Sequence, residues 1–231
     1  MTENKGIKSR PIIQEMFSEI AGTYDRANSI LSLGLHHLWK KSLIKQALLH
    51  SNNGYVLDLC SGTGDILKGL RKNNIKAFGV DFALPMLQLQ QKDKINGANV
   101  AQADALQLPF KEKTFEVVTV SYGIRNFESL QAGLKEILRV LKPGGNLLIL
   151  EFGKKPKGIM GAAIKIYENW ILPTLGGLIS GKTKAYRYLA NSSNEFPSGE
   201  NLISICREVG FREGSTKIIC FGATYLYEIK A

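Results

Sequence analysis

The chain has 231 residues, 44% of them hydrophobic, which is enough for one domain with a full core. Thirty Lys and Arg against 20 Asp and Glu leave a net charge of +10, which suits an anionic partner, nucleic acid or membrane headgroups, without choosing between them. Three cysteines, Cys60, Cys206 and Cys220, with no C-x-x-C pair, exclude a disulfide framework and a zinc knuckle and point to a reducing, cytoplasmic setting.

In chain order, Met1–Arg10 is polar and lacks the apolar run of a signal peptide. Later apolar stretches break well short of about 18 residues, so neither secretion nor a membrane span is expected. Helical spacing runs from Ile12 to Leu49, interrupted by the polar stretch Gly22–Ser29 and by Gly34, and predicts a helical N-terminal segment over 1–50 containing a loop. From Tyr55 short apolar runs alternate with helical stretches, the pattern of a parallel sheet covered on both faces. Strands are predicted at Tyr55–Leu59, Ala77–Val80, Ala98–Ala101, Phe115–Ser121 and Asn146–Glu151, with helices near 65–73, 84–95 and 129–141 between them. Right-handed crossovers then wind an α/β, doubly wound sheet. Pro143-Gly144-Gly145 reads as a tight turn before the fifth strand. A cofactor-binding core would thus span 51–153. The segment 154–198 breaks the alternation and reads as a basic, amphipathic insertion or substrate lid. In 199–231 a helix, Gly199–Val209, precedes an antiparallel hairpin, Gly214–Cys220 and Ala223–Ile229. A parallel sheet ending in such a hairpin is the class I S-adenosylmethionine methyltransferase arrangement, Rossmann-like, within one domain.

The sharpest motif is Val56-Leu57-Asp58-Leu59-Cys60-Ser61-Gly62-Thr63-Gly64-Asp65: a strand, an acid near its end, then Gly-x-Gly entering a helix. Gly62 and Gly64 let the backbone turn and a ligand approach without a Cβ in the way. A dinucleotide is the competing ligand, but its fingerprint needs Gly or Ala where this chain has Leu67. Asp81 ends the second strand, placed for ribose hydroxyls, and Asp104-Ala105 ends the third, placed for adenine. Asp58 and Asp65 would repel a diphosphate, so the pattern favours S-adenosyl-L-methionine, with no metal. Asp65 also fits a carboxylate serving the helix dipole, and Asp58 one that holds loop amides.

Ligands bind beyond the carboxyl ends of the strands, so the acceptor should meet the end of strand four, Ser121-Tyr122-Gly123-Ile124-Arg125-Asn126-Phe127. The Asp/Asn-Pro-Pro-aromatic signature of amino methyltransferases and the cysteine of cytosine C5 enzymes are both missing there, which argues against nucleic acid. These residues, with Phe17-Ser18-Glu19-Ile20-Ala21, Tyr24-Asp25, Ser32-Leu33-Gly34-Leu35-His36, Arg139-Val140-Leu141-Lys142-Pro143-Gly144-Gly145 and Tyr186-Arg187-Tyr188-Leu189, make the chain resemble the ubiquinone/menaquinone biosynthesis C-methyltransferase family (UbiE/MenG) along nearly its whole length. Cys60-Ser61 for Ala-Gly, His37 for Arg and Tyr227 for His depart from the family pattern. The resemblance implies methyl transfer to a ring carbon of a polyprenylated quinol, demethylmenaquinol or a methoxylated benzoquinol, and cofactor contacts at Thr63, Asp81, Asp104, Ala105 and Ser121.

For that chemistry the ring hydroxyl must lose its proton while ring carbon, methyl and sulfur are aligned. Arg125 is a poor free base because a guanidinium stays protonated, so it is read as stabilising developing phenolate or orienting a water. A salt bridge tying down the loop is its plainer reading. Asn126 and Tyr24 are candidates to hold quinol oxygens. His36 is a candidate base, titrating near neutrality, or else a packed or capping histidine. Between Lys154 and Arg187 seven basic residues face one acid, Glu168, among Ile and aromatic side chains, which suits either peripheral contact with an anionic membrane or a solvated face over the core. The expected partners are a lipid-soluble quinol and that membrane surface rather than nucleic acid, with a homo-oligomer left open. An RNA methyltransferase is the rival from another substrate class.

Overall fold

In the computed structural model, which describes residues 9–92, 99–156 and 158–231, the apolar runs pair into one sheet. Its strands are β1 (Val56–Leu59), β2 (Ala77–Asp81), β3 (Asn99–Gln102), β4 (Phe115–Ser121), β5 (Leu141–Phe152), β6 (Glu213–Ile219) and β7 (Thr224–Lys230). Among the described residues their order is β3-β2-β1-β4-β5-β7-β6, parallel as far as β5, with β7 antiparallel to both of its neighbours. Every residue of β1 is buried, as a central parallel strand covered on both faces requires. The chain winds outward from β1 in one direction and from β4 in the other, so the loops after these two strands open a crevice at their carboxyl ends. The doubly wound sheet with its terminal hairpin is therefore the fold that forms.

The helices are α1 (Arg10–Leu31), α2 (Leu35–His50), α3 (Asp65–Lys72), α4 (Leu84–Lys92), α5 (Leu130–Val140), α6 (Ile159–Ile166), α7 (Leu172–Ser180), α8 (Thr183–Glu195) and α9 (Glu200–Val209). Alternate residues of each strand divide the core. Leu43 and Ala47 of α2 with Ile66, Leu67 and Leu70 of α3 pack on Val56, Val117 and Leu148. On the opposite face α5 and α9 bury Leu134, Ile137, Leu202 and Ile203 against Leu57, Val118 and Leu147. A third cluster joins α1, α4 and α8 through Ile20, Ala27, Met86 and Tyr186, and places these helices above the crevice.

Three local expectations change. Gly22–Ser29 is not a loop but the middle of the continuous helix α1. One helical glycine costs about 1 kcal/mol, less than burying Ile20, Ala21 and Ala27 returns, and Tyr24 and Asn28 line the crevice while Asp25 accepts from Thr63. The true break is Leu33-Gly34, both with positive φ. Pro143–Gly145 is an excursion within β5: pairing passes from Phe115↔Leu141 to Val117↔Asn146, with Gly144 at φ +77°. The 154–198 insertion is helical, with α6 continuing through a π-helical segment, Tyr167–Ile171, into α7 and then α8. Residues 93–95 of the helix predicted near 84–95, Ala98 of the third predicted strand and Lys157 of the basic stretch lie outside the described residues.

Candidate active site

The loop after β1 follows from its sequence. Cys60, Gly62 and Gly64 all take left-handed φ, at +58°, +55° and +89°. A Cβ on Gly62 would meet nothing within 4 Å, so the loop's outer side is an open cradle. Four elements clamp its inner side. Asp81 Oδ2 accepts from the Gly62 N–H at 2.9 Å and its Oδ1 from the Ala83 N–H at 2.9 Å. Gln90 Nε2 donates to Ser61 Oγ at 2.9 Å and to the Gly62 carbonyl at 2.6 Å. Thr63 Oγ1 donates to Asp25 at 2.8 Å, and Lys40 donates to Asp65 at 2.8 Å. Leu67, which argued against a dinucleotide loop, fits because β2 offers Gly79 opposite it: a Cβ there would lie 3.0 Å from the Leu67 Cδ2.

Two cavities adjoin at this loop, sharing Tyr24, Cys60, Gly62, Ser121 and Tyr122. The narrower is lined by Asp81, Asp104, Ala105 and Asn126. The larger, about 420 Å³, lies under α6–α8 and is lined by Asp58, Thr63, His36, Lys40 and Arg125 together with apolar side chains such as Leu31, Ile164, Leu172 and Leu189. The predicted cofactor residues are thus brought together around the loop and at the ends of β1 to β4. Asp104 also pairs with Arg10 at 2.9 Å. Gly64 lines neither cavity; a Cβ there would press on Gln90 at 3.0 Å.

The residues fit S-adenosylmethionine. Asp58 Oδ2 and Ser121 Oγ are buried without a hydrogen-bond partner at the cavity wall, the condition expected of atoms reserved for a ligand. Asp25, Asp58, Asp65 and Asp81 surround one loop with Lys40 among them, a field that suits a sulfonium and an ammonium rather than phosphates. Burial pushes the Asp58 carboxyl up to about 7, against the hydrogen bond from Thr119 at 2.9 Å, with Asp81 and Asp65 adding to the rise. A bound cation favours the carboxylate. Cofactor affinity should therefore fall as pH drops through 7, by up to about tenfold per unit, with proton release on binding near neutrality. Calorimetry in buffers of different ionisation enthalpy checks this; zero proton release at pH 7 would remove Asp58 from the contact.

The turn after β4 builds the acceptor side. Tyr122 takes φ +56°, and Gly123 must lack a Cβ because one would sit 2.4 Å from the Cys60 Cβ. Arg125 is buried and lines the larger cavity. Its Nη1 donates to Glu151 Oε1 at 2.6 Å and to the Tyr122 carbonyl at 2.8 Å, its Nε donates to Ser192 Oγ at 3.3 Å, and the guanidinium lies 5.5 Å from the Phe152 ring centre. It therefore ties the loop down and also borders the cavity. Asn126 lines the narrower cavity, not the larger, and its Oδ1 accepts from the Tyr188 hydroxyl at 3.1 Å. Tyr24 borders both cavities. His36 Nδ1 lies 2.7 Å from Ser32 Oγ, and burial with Lys40 and His37 lowers its pKa to about 4. The reason for naming it a base, titration near neutrality, does not hold. It is a neutral imidazole across the physiological range.

Sequence reasoning missed Asp25, Asn28 and Lys40, which reach the site from α1 and α2, and Glu151 and Gln90. The spacing Tyr24, Asp25, Asn28 inside a helical pattern was a readable signal, as was one acid closing the apolar run Leu147–Leu150. Gln90 carried none. His36, His37 and Asp65 also bring possible ligand atoms within 4.8 Å of one another, with Lys40 already on the Asp65 carboxylate.

The ubiE/COQ5 methyltransferase family matches residues 1–228. A demethylmenaquinone methyltransferase of Thermus thermophilus is 42% identical over 201 residues, covering 85% of this chain and 91% of its own. A ubiquinone/menaquinone biosynthesis C-methyltransferase UbiE of Bdellovibrio bacteriovorus is 37% identical, covering 94% of each. Among solved structures, a SAM-dependent methyltransferase of Thermotoga maritima superimposes with a TM-score of 0.67 at 20% identity, over 94% of this chain and 98% of that one, and shares the fold. No helix among the described residues is long and apolar enough to cross a membrane.

Proposed function

The chain belongs to the ubiE/COQ5 methyltransferase family, and on that footing we propose that it transfers the methyl group of S-adenosylmethionine to a ring carbon of a polyprenylated quinol, demethylmenaquinol. The observation that carries this reading is the apolar-walled cavity of about 420 Å³ that meets the glycine loop at Ser61, Gly62 and Thr63, beside Asp58 and Ser121. A hydrophobic ring would lie there beside the cofactor. Relatives named demethylmenaquinone methyltransferase, from Thermus thermophilus and Deinococcus radiodurans at 42% and 40% identity, favour the naphthoquinol over a methoxylated benzoquinol. The missing amino-methyltransferase signature disfavours RNA.

Asp58, Gly62, Thr63, Asp81, Asp104, Ala105 and Ser121 would hold S-adenosylmethionine, which supplies an electrophilic methyl on a sulfonium. The rest is positioning and charge. Apolar walls exclude water and orient the ring, where good alignment alone can supply several kcal/mol. Arg125, permanently charged, would orient a water that takes the ring hydroxyl's proton and stabilise the phenolate so formed, which makes the adjacent carbon nucleophilic. Once that carbon has taken the methyl from the sulfonium, its own proton is lost to solvent and the ring is aromatic again. Tyr24, which borders both cavities, would hold a ring oxygen; Asn126, on the narrower cavity with its Oδ1 engaged by Tyr188, would hold one only from the cofactor side. The basic stretch after β5 would hold the protein peripherally on an anionic cytoplasmic membrane surface, where such a quinol resides.

Labelled methyl transfer to demethylmenaquinol, to the benzoquinol and to total RNA in parallel tests this. Label in the naphthoquinol is expected, and incorporation only into RNA overturns the reading. Arg125→Ala should lower kcat by about 10²-fold or more while leaving S-adenosylmethionine affinity within about threefold; full turnover in that variant would take Arg125 out of the mechanism.

A further inference from the structure

Helix α7 is inverted for a helix in water. Its buried residues are Pro173, Gly176 and Gly177, and its exposed ones are Thr174, Leu175 and Leu178, the two leucines in line with exposed Ile171 just before the helix at i, i+4, i+7 spacing. The glycines are needed on the inner side: a Cβ on Gly176 would fall 2.4 Å from the Tyr186 ring. So Gly176 and Gly177 pack against α8 with Leu172 and Ile179 partly buried beside them, while Leu175 and Leu178 face outward. Leu178 is 77% exposed and Trp170 73%.

A second exposed apolar element stands beside it. The turn between α1 and α2 carries Leu33, 87% exposed, flanked by exposed Leu35 and Leu38. The Tyr167 hydroxyl donates to the Leu31 carbonyl at 2.6 Å, which joins the two elements next to Trp170 and Leu33. Both elements also wall the larger cavity, through Leu31, Ser32, Tyr167 and Leu172. Exposed Lys41 and Lys165 accompany them, within a turn of Leu38 and next to Ile166. Outward leucines, an interfacial tryptophan and flanking lysines together match an anionic bilayer surface.

We infer that the α1–α2 turn and the outer face of α6–α7 insert together into an anionic lipid surface, so that an isoprenoid chain reaches the cavity without crossing water. A protein partner seated there would have to cover a face with flanking positive charge and would separate these cavity walls from the lipid. The inference rests on the quinol reading for what enters the cavity, but binding to lipid stands apart from it.

Sedimentation with phosphatidylcholine/phosphatidylglycerol vesicles tests it. The wild-type chain should bind, and the double variant Leu33→Glu, Leu178→Glu should bind at least about tenfold more weakly, since two inserted leucines are replaced by charges. Neither residue lines a cavity, so the variant should keep its thermal midpoint and its turnover of a short-tailed, water-dispersible quinol within about twofold, while turnover of long-tailed quinol in vesicles falls. Equal vesicle binding by the two proteins overturns the inference. So does light scattering showing a wild-type dimer that the double variant dissociates, without vesicle binding by either. If the wild type methylates no quinol yet binds vesicles through these residues, the proposed function fails and this inference stands.

Discussion

Glu151→Ala is expected to destabilise the protein by about 3–5 kcal/mol, because it leaves the Arg125 guanidinium buried without a counter-charge. The two side chains are 3% and 0% exposed and 2.6 Å apart. Burial raises the Glu151 pKa, but Arg125 and the Phe152 N–H act to keep it ionised. For a chain of this length the loss corresponds to a drop in Tm on the order of 10 °C. Glu151→Gln keeps an acceptor and should lose less. Replacing both partners, Arg125→Leu with Glu151→Leu, should recover most of the stability while remaining inactive, since apolar groups of similar size need no counter-charge. Thermal and urea unfolding of the three variants decide it. If Glu151→Ala unfolds within about 1 kcal/mol of wild type, the pair does not hold the acceptor turn in place.

Asp81→Ala should abolish measurable S-adenosylmethionine binding, a loss of at least about 10²-fold, through two effects on one side chain. The carboxylate would no longer reach the ribose, and the Gly62 and Ala83 N–H groups would lose their acceptor, at about 1–3 kcal/mol for each left unsatisfied. The cradle then loses its shape as well as its charge. Asp81→Asn retains one acceptor oxygen but turns an amide toward one N–H, and should fall between the two. Calorimetry that finds wild-type affinity in Asp81→Ala would remove Asp81 from the cofactor site.

Much of this was legible in the chain order. Alternating apolar runs and helical stretches named the doubly wound sheet because its central strands β1, β2, β4 and β5 are largely buried on both faces, which erases ambiguity between strand and loop. The glycine loop, Asp81 and Asp104 were legible because strand ends in such a sheet converge on one crevice. Gly22–Ser29 misread as a loop for the opposite reason: at Tyr24, Asp25 and Asn28, polarity that looks like solvent exposure was polarity facing a site. Glu151 was hidden because a buried acid is intelligible only with its partner, and Arg125 lies 26 residues away in sequence.

By itself the sequence determined the fold class, the turn of the glycine loop and the family, since those depend on local periodicity, on backbone freedom at Gly62 and Gly64, and on motifs a few residues long. Only the tertiary structure decided that Arg125 is paired with Glu151, that His36 stays uncharged, and that α7 turns Leu175 and Leu178 outward. These are effects of burial and of distances between residues far apart in the chain. Desolvation and Coulomb energy depend on what surrounds a group in space, and no spacing along the chain records that.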